Sequence, residues 1–278
     1  MKGKAYAAGT ILNALATGIG SAFGLCITTR VKLKWDSENS LIVNGEERDP
    51  KLLATIFSPF GIKANVIVRS DIPERSGLGS SSALLNAILC ALFKEKGLYA
   101  HEILRMNAEL SLKSGISYTG AFDDASASLL GGIVVSENYK MRLRCWLPKK
   151  GRAAILVPEF ERGNIDWDKI KSNALKLSNA LKMIKEHRFF DAMVENTKFY
   201  CEMIGYPLEI AERLWSEKIC CGLSGNGPTF VAWGDKEDVS IAKEVWREYG
   251  KVLLSRIAER PAEEVMVTDE LFISKNRK

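Results

Sequence analysis

Pro73-Glu-Arg-Ser-Gly-Leu-Gly-Ser-Ser-Ser-Ala83 is the stretch on which the reading of this chain turns. Just upstream, Ala64-Asn-Val-Ile-Val-Arg69 alternates apolar and polar residues and is rich in β-branched side chains, which predicts a strand. Downstream, Ala83-Leu-Leu-Asn-Ala-Ile-Leu-Cys-Ala-Leu-Phe93 is an apolar run of helical length, with Lys94 and Lys96 in its last turn and Gly97 as its stop. The order is strand, glycine–serine loop, helix. Gly77 and Gly79 allow a tight turn and a close approach of backbone to ligand. The first amides of a helix have no partner inside it, and the helix dipole favours an anion there. Ser80, Ser81 and Ser82 add hydroxyls, one of which can ligate a magnesium ion. The stretch reads as a phosphate cradle, against the plainer reading of a serine-rich loop that precedes a helix. It lacks the third glycine of a dinucleotide fingerprint, and the chain has no GxxxxGK[ST] P-loop.

Toward the N-terminus, residues 5–29 are uncharged and follow Lys2 and Lys4. Four glycines and several hydroxyl and amide side chains make this segment too polar for a membrane span or signal. It predicts a strand at 5–8, a small-residue, ligand-lining loop over 9–21 and a strand at 23–29. Val31, Leu33 and Trp35 alternate with Lys32 and Lys34 as in a half-exposed strand, and Asn44-Gly45 marks a hairpin after residues 41–43. Residues 50–60 predict a helix.

Toward the C-terminus, residues 102–112 predict a helix closed by Gly115, with Glu109 as an isolated acid. Tyr118-Thr-Gly-Ala-Phe-Asp-Asp-Ala-Ser-Ala-Ser-Leu-Leu-Gly-Gly132 follows. Its adjacent Asp123 and Asp124 stand where a small-residue helix begins. One of them could be a helix N-cap, but the pair beside Gly120 also suits catalysis or metal binding. Strands follow at 133–135 and 141–147. Residues 148–151 mark the boundary between an N-terminal domain, 1–150, and a C-terminal domain, 151–278. The second half reads β-α-β-β-α-β, a ferredoxin-like split βαβ. Between its central strands, Gly222-Leu-Ser-Gly-Asn-Gly-Pro-Thr229 is richer in glycine than a hairpin requires and reads as a second anion-facing loop. Residues 261–278 predict a peripheral strand and a charged tail.

The 278 residues, 46% hydrophobic and 26% charged, suit one large domain or two smaller ones. The net charge of +5 is scattered, without a basic block interleaved with aromatics, which argues against nucleic-acid binding. The six cysteines show no CxxC or Cys/His ligand spacing, so structural zinc is not expected and a reducing, cytoplasmic compartment is. His101 and His187, the only histidines, are expected at the surface, which disfavours a histidine base.

Three glycine loops in this order resemble the GHMP small-molecule kinase superfamily, which includes galactokinases, homoserine kinases, mevalonate kinases and phosphomevalonate kinases. Its central PxxxGLGSSxA motif is matched by Pro73, Gly77, Leu78, Gly79, Ser80, Ser81 and Ala83. Its GxSGxGPT motif is matched by Gly222, Ser224, Gly225, Gly227, Pro228 and Thr229. Residues 7–10 and 18–25 match the first motif loosely. Within the superfamily, the length, the serine loop and the Thr-Gly-Ala-Phe-Asp-Asp segment look most like the archaeal shikimate kinase branch. The resemblance implies an α+β fold with an S5-like N-terminal domain and a ferredoxin-like C-terminal one. It also implies ATP and Mg²⁺ as cofactors, shikimate as acceptor and room for a homodimer.

By the same resemblance, Pro73, Glu74, Arg75, Ser76, Gly77, Leu78, Gly79, Ser80, Ser81, Ser82 and Ala83, with Gly225 and Gly227, hold the nucleotide. Ser81 and Glu109 match the Mg²⁺ positions, although Glu109 stands farther from Thr119-Gly120 than in mevalonate-type members. The catalytic aspartate falls in the Asp123/Asp124 pair. Counted back from Gly131-Gly132, Asp123 fits the homoserine-kinase spacing and Asp124 the mevalonate-kinase spacing, with Asp123 narrowly preferred. Lys4 is a candidate for charge neutralisation, and a carboxylate acceptor calls for an arginine, Arg75 or Arg152. Competing functions are another alcohol acceptor, a non-catalytic ATP sensor and an S5-like RNA-binding module.

Overall fold

The computed structural model describes residues 1–273. The N-terminal half holds strands β1 (Lys2–Leu12), β2 (Ile19–Trp35), β3 (Ser40–Val43), β4 (Glu46–Arg48), β5 (Ala64–Ser70), β6 (Ile133–Glu137) and β7 (Arg142–Leu147). Its helices are α1 (Lys51–Phe57), α2 (Ser80–Phe93), α3 (Ala100–Lys113) and α4 (Phe122–Leu130). The seven strands form one sheet in the order β4-β3-β5-β2-β6-β7, with β1 paired to β2.

β2 organises this sheet. Its C-terminal half pairs with β5, its N-terminal half with β6, and β1 runs antiparallel along most of it. Residues 19–35 thus form one strand rather than the loop and two strands expected. The expected loop shrinks to residues 13–18, because Gly9 and Thr10 already pair with Phe23 and Ala22 in β1. Gly9 of that segment packs on Phe23, where a Cβ would lie 2.6 Å from the ring, while Thr10, Asn13, Ala14 and Leu15 line a cleft as expected. The Asn44-Gly45 hairpin forms as expected, both residues having positive φ.

α2 is buried along most of its length because it lies against β1 and β2 with α3 and α4 on its other sides. Two buried amides tie these helices together. Asn86 Nδ2 donates to the Ala125 carbonyl at 2.8 Å, and Asn107 Nδ2 donates to Asn86 Oδ1 at 2.8 Å and to the Ser82 carbonyl at 2.9 Å.

The second half contributes β8 (Arg152–Pro158), α5 (Trp167–Ser172), α6 (Ser178–Lys185), α7 (Phe189–Ile204), α8 (Glu209–Trp215), β9 (Cys220–Leu223), β10 (Phe230–Gly234), α9 (Lys236–Trp246) and β11 (Gly250–Arg256). The sheet order β11-β8-β10-β9, with every neighbouring pair antiparallel, is the ferredoxin-like arrangement, its first crossover lengthened to four helices. The two sheets meet where the Phe23 ring of β2 stacks on Trp233 of β10, centroids 5.1 Å apart.

The described part of the C-terminal segment is irregular instead of a strand. It is held by single bridges from Met266 to Tyr99 and from Phe272 to Leu143, and residues 274–278 of the expected tail lie outside the described residues. His101 is buried, contrary to expectation. Its Nδ1 bonds to Thr268 Oγ1 and its Nε2 faces Glu270, so it anchors this segment on α3.

Candidate active site

The three glycine loops are bonded into one unit. Ser76 Oγ donates to the Pro73 carbonyl at 2.7 Å and closes a turn at the start of the central loop. Gly77, at φ +85, packs so tightly on the third loop that a Cβ would lie 2.2 Å from the Ser224 carbonyl oxygen. Ser224 Oγ donates to the Gly77 carbonyl at 2.9 Å and accepts from the Thr10 amide at 3.2 Å, while the Gly225 amide donates to Thr10 Oγ1 at 2.8 Å. The Ala8 amide takes up the Leu78 carbonyl, and Asn13 Nδ2 takes up the Gly225 carbonyl. Loop carbonyls are thereby consumed within the scaffold. The amides of Ser80, Ser81 and Ser82, the first turn of α2, have no helical acceptor and no capping side chain. Such an array of free donors at the positive end of a helix binds anions.

This turn borders a cleft of about 530 Å³. One part of its wall comes from Thr29, Val43, Val68, Ser70 and Ile72, largely apolar. Another comes from Ile116, Ser117, Tyr118 and Thr119, the start of α4, Arg162 and Ile165.

Asp123 and Asp124 both line the cleft and differ in their partners. Neither caps α4: the N-cap is Ala121, at φ +47, and no side chain closes that end. Asp123 is buried, and its Oδ1 accepts from Asn138 Nδ2 at 2.8 Å. Asn138 Oδ1 in turn accepts from the Asp123 amide at 3.2 Å and from Ser136 Oγ at 2.6 Å. Gly20 makes room for this carboxylate, since a Cβ there would lie 2.2 Å from Asp123 Oδ2. Asp124 Oδ1 is enclosed and has no hydrogen-bond partner. It stands beside the start of α2, where a Cβ on Gly79 would be 3.6 Å from the Asp124 carboxyl carbon. Burial raises the pKa of both; for Asp123 the Asn138 amide opposes the rise, whereas for Asp124 the charge of Asp123 adds to it and holds the carboxyl well above its ordinary range.

The model of the GHMP kinases N terminal domain matches residues 50–132. A shikimate kinase of Archaeoglobus fulgidus is 51% identical over 98% of this chain and 98% of its own, and one of Methanothermobacter thermautotrophicus is 31% identical over 89% and 92%. The chain belongs to the GHMP kinase family. Solved GHMP kinases share the fold at low identity. The mevalonate kinase of Methanococcus jannaschii superposes with a TM-score of 0.69 at 13% identity, covering 93% of this chain and 98% of that one. A homoserine kinase of Cytophaga hutchinsonii gives 0.67 at 18%, covering 93% and 96%.

Of the residues that the GHMP kinase resemblance singles out, Glu74, Arg75, Gly77, Gly79, Ser80, Ser81, Ser82, Asp123, Asp124 and Gly225 line the cleft. Ser76, Leu78 and Ala83 are buried behind it, and Pro73 and Gly227 shape the loops: Pro73 through its carbonyl, and Gly227 by lying where a Cβ would be 2.5 Å from the Tyr206 ring. Glu109 is not brought to Ser81. It lies on the exposed face of α3, and the face turned to α2 presents Asn107. At about 100° per residue, two positions apart on a helix point to nearly opposite sides. Among the described residues no three His, Cys, Asp or Glu side chains gather into a metal cluster. Beside the phosphate turn, the oxygens the cleft offers a hard cation include the serine hydroxyls and the unpaired Asp124 Oδ1. That set fits a magnesium ion held chiefly by substrate phosphates. Lys4 and Arg152 lie outside the cleft lining, on β1 and β8.

The sequence reading missed Arg162 and Asn138, whereas Asn13 lies in the expected ligand-lining segment and does line the cleft. Arg162 carries no motif, and Asn138, in the turn after β6, meets Asp123 of α4 across fifteen residues with no local signature. Among the described residues no helix is long and apolar enough to cross a membrane.

Proposed function

We propose that this GHMP kinase transfers the γ-phosphoryl group of ATP to the 3-hydroxyl of shikimate. One observation carries the chemistry: the free amides at the start of α2 and the unpaired carboxylate of Asp124 border the same cleft. The acceptor follows from the full-length likeness to shikimate kinases. Residues 1–150 then form the ATP-binding domain and residues 151–278 the domain that completes the acceptor side.

The amides of Ser80, Ser81 and Ser82 hold the ATP phosphates, with Arg75 beside them, and the apolar wall of Val43, Val68 and Ile72 receives the base. Ser81 would be the loop ligand of a bound Mg²⁺, which would supply charge neutralisation at the phosphates. Asp124 orients the acceptor hydroxyl and takes its proton as the new P–O bond forms and the bond from the γ-phosphorus to the β,γ-bridging oxygen breaks. Its raised pKa makes it a better proton acceptor than an exposed carboxylate. Asp123, engaged by Asn138, fixes the start of α4 and with it the position of Asp124. The preference between the two aspartates therefore moves to Asp124. Alignment and charge neutralisation supply most of the acceleration in such a transfer.

A coupled ADP-release assay with Mg-ATP and, separately, shikimate, homoserine and mevalonate tests this. Turnover is expected with shikimate alone. Turnover with another alcohol only would overturn the acceptor, and ATP binding with no turnover on any of the three would favour a sensor.

A further inference from the structure

We infer that Arg162 selects the acceptor by pairing its guanidinium with the acceptor's carboxylate while the acceptor hydroxyl lies against Asp124; this rests on the shikimate reading above. Among the described residues, Arg75 and Arg162 are the only cationic side chains in the cleft lining. Arg75 belongs to the phosphate loop itself, between Pro73 and Gly77, so its charge is committed to the nucleotide side. Arg162 enters from the other half of the molecule, on the segment joining β8 to α5, together with Ile165.

The backbone next to Arg162 is held on several sides. The Gly163 amide donates to the Tyr206 hydroxyl at 2.9 Å, and that hydroxyl donates to the Asn226 carbonyl of the third glycine loop at 3.0 Å. Gly163 packs so closely on the end of α7 that a Cβ would lie 2.5 Å from Ile204 Cγ2. The Phe160 ring lies 5.7 Å from that of Tyr206. Five residues after Arg162, Trp167 stacks at 4.7 Å on Tyr118, itself a cleft residue of the loop before α4. The segment carrying Arg162 is therefore tied both to the third glycine loop and to the loop leading to the aspartates.

Asp123 is engaged by Asn138, Asp124 Oδ1 has no donor, and Arg162 forms no ion pair among the described residues. A guanidinium facing a cleft without a partner is matched when a ligand brings a carboxylate, whose two oxygens fit its planar fork. In shikimate the carboxylate and the 3-hydroxyl sit on ring carbons separated by one other, so one rigid ring can present the first to Arg162 and the second to Asp124. Homoserine also has a carboxylate, but on a flexible chain that must be ordered to reach both groups at once, which a rigid ring avoids.

The test measures steady-state kinetics of the wild-type protein, Arg162→Gln, Arg162→Lys and Arg75→Gln with Mg-ATP and either shikimate or shikimate methyl ester. Arg162→Gln is expected to raise KM for shikimate tenfold or more with KM for ATP within twofold, and Arg162→Lys to recover part of the loss. The ester, which lacks the charge, should be a poor substrate used equally by wild type and Arg162→Gln. Arg75→Gln should show the opposite split, raising KM for ATP. An unchanged KM for shikimate in Arg162→Gln, or an equal loss with acid and ester, would overturn the inference while leaving the shikimate activity standing. A wild-type protein without shikimate turnover would overturn both.

Discussion

Asp123 and Asp124 are neighbours in sequence with the same side chain, and their surroundings separate their chemistry. The amide that bonds Asp123 stabilises its charged form, whereas Asp124 is left enclosed beside a like charge. A carboxyl whose pKa is higher folded than unfolded binds its proton more tightly in the folded state. Its contribution to stability is complete at acid pH, below the unfolded value, and is lost as pH rises through the folded one. Asp124→Asn is therefore expected to melt higher than wild type at neutral pH and close to it at acid pH. The same variant should slow phosphoryl transfer by roughly 10²–10⁴-fold with ATP binding retained. Melting curves at the two pH values, with calorimetric ATP titration, check both halves; equal melting shifts at both would show the carboxyl to be ordinary. Asn138→Ala removes two hydrogen bonds of Asp123 and leaves its buried carboxylate without a side-chain donor. It should cost about 1–3 kcal/mol in urea unfolding and lower kcat more than it alters KM for ATP.

The strand–loop–helix element was legible because its signals are local: alternation in β5, glycines in the loop and an apolar run in α2. Helix α2 begins three residues earlier than its apolar run, at Ser80, so the serines form its first turn. Gly9 and Gly20 were read as loop residues but belong to β1 and β2, because a glycine that admits a ligand and one that admits a neighbouring side chain look alike in sequence; Thr10 and Asn13 of the same segment do line the cleft. Gly77→Ala tests the packed loops. Its left-handed φ and the Ser224 carbonyl at 2.2 Å from a Cβ should destabilise the protein by more than the ~1–3 kcal/mol of backbone strain alone and raise KM for ATP. Gly61→Ala, also left-handed but facing open space, isolates the conformational cost and should leave KM for ATP unaltered. Equal destabilisation of the two variants would argue against tight loop packing. Denaturant unfolding compares them.

The cleft draws on both halves of the molecule, so their joint is part of the site. Phe23 is fully buried and stacks on Trp233 between the sheets, with its ring against Gly9 one residue before Thr10. Phe23→Ala should cost about 3–5 kcal/mol in denaturant unfolding. It should also weaken ATP binding by loosening β1 under the loops, and unchanged affinity would show the loops to be independent of this joint. Residue order alone was enough for the strand–glycine loop–helix, the ferredoxin-like order of the second half and the candidate aspartate pair, since each rests on periodicity or short spacing. The facing of Glu109 away from the cleft, the split between Asp123 and Asp124 and the arrival of Arg162 from the far half required the folded chain. Those depend on helix rotation and on contacts between segments distant in sequence, which burial and close packing select and which no local pattern encodes.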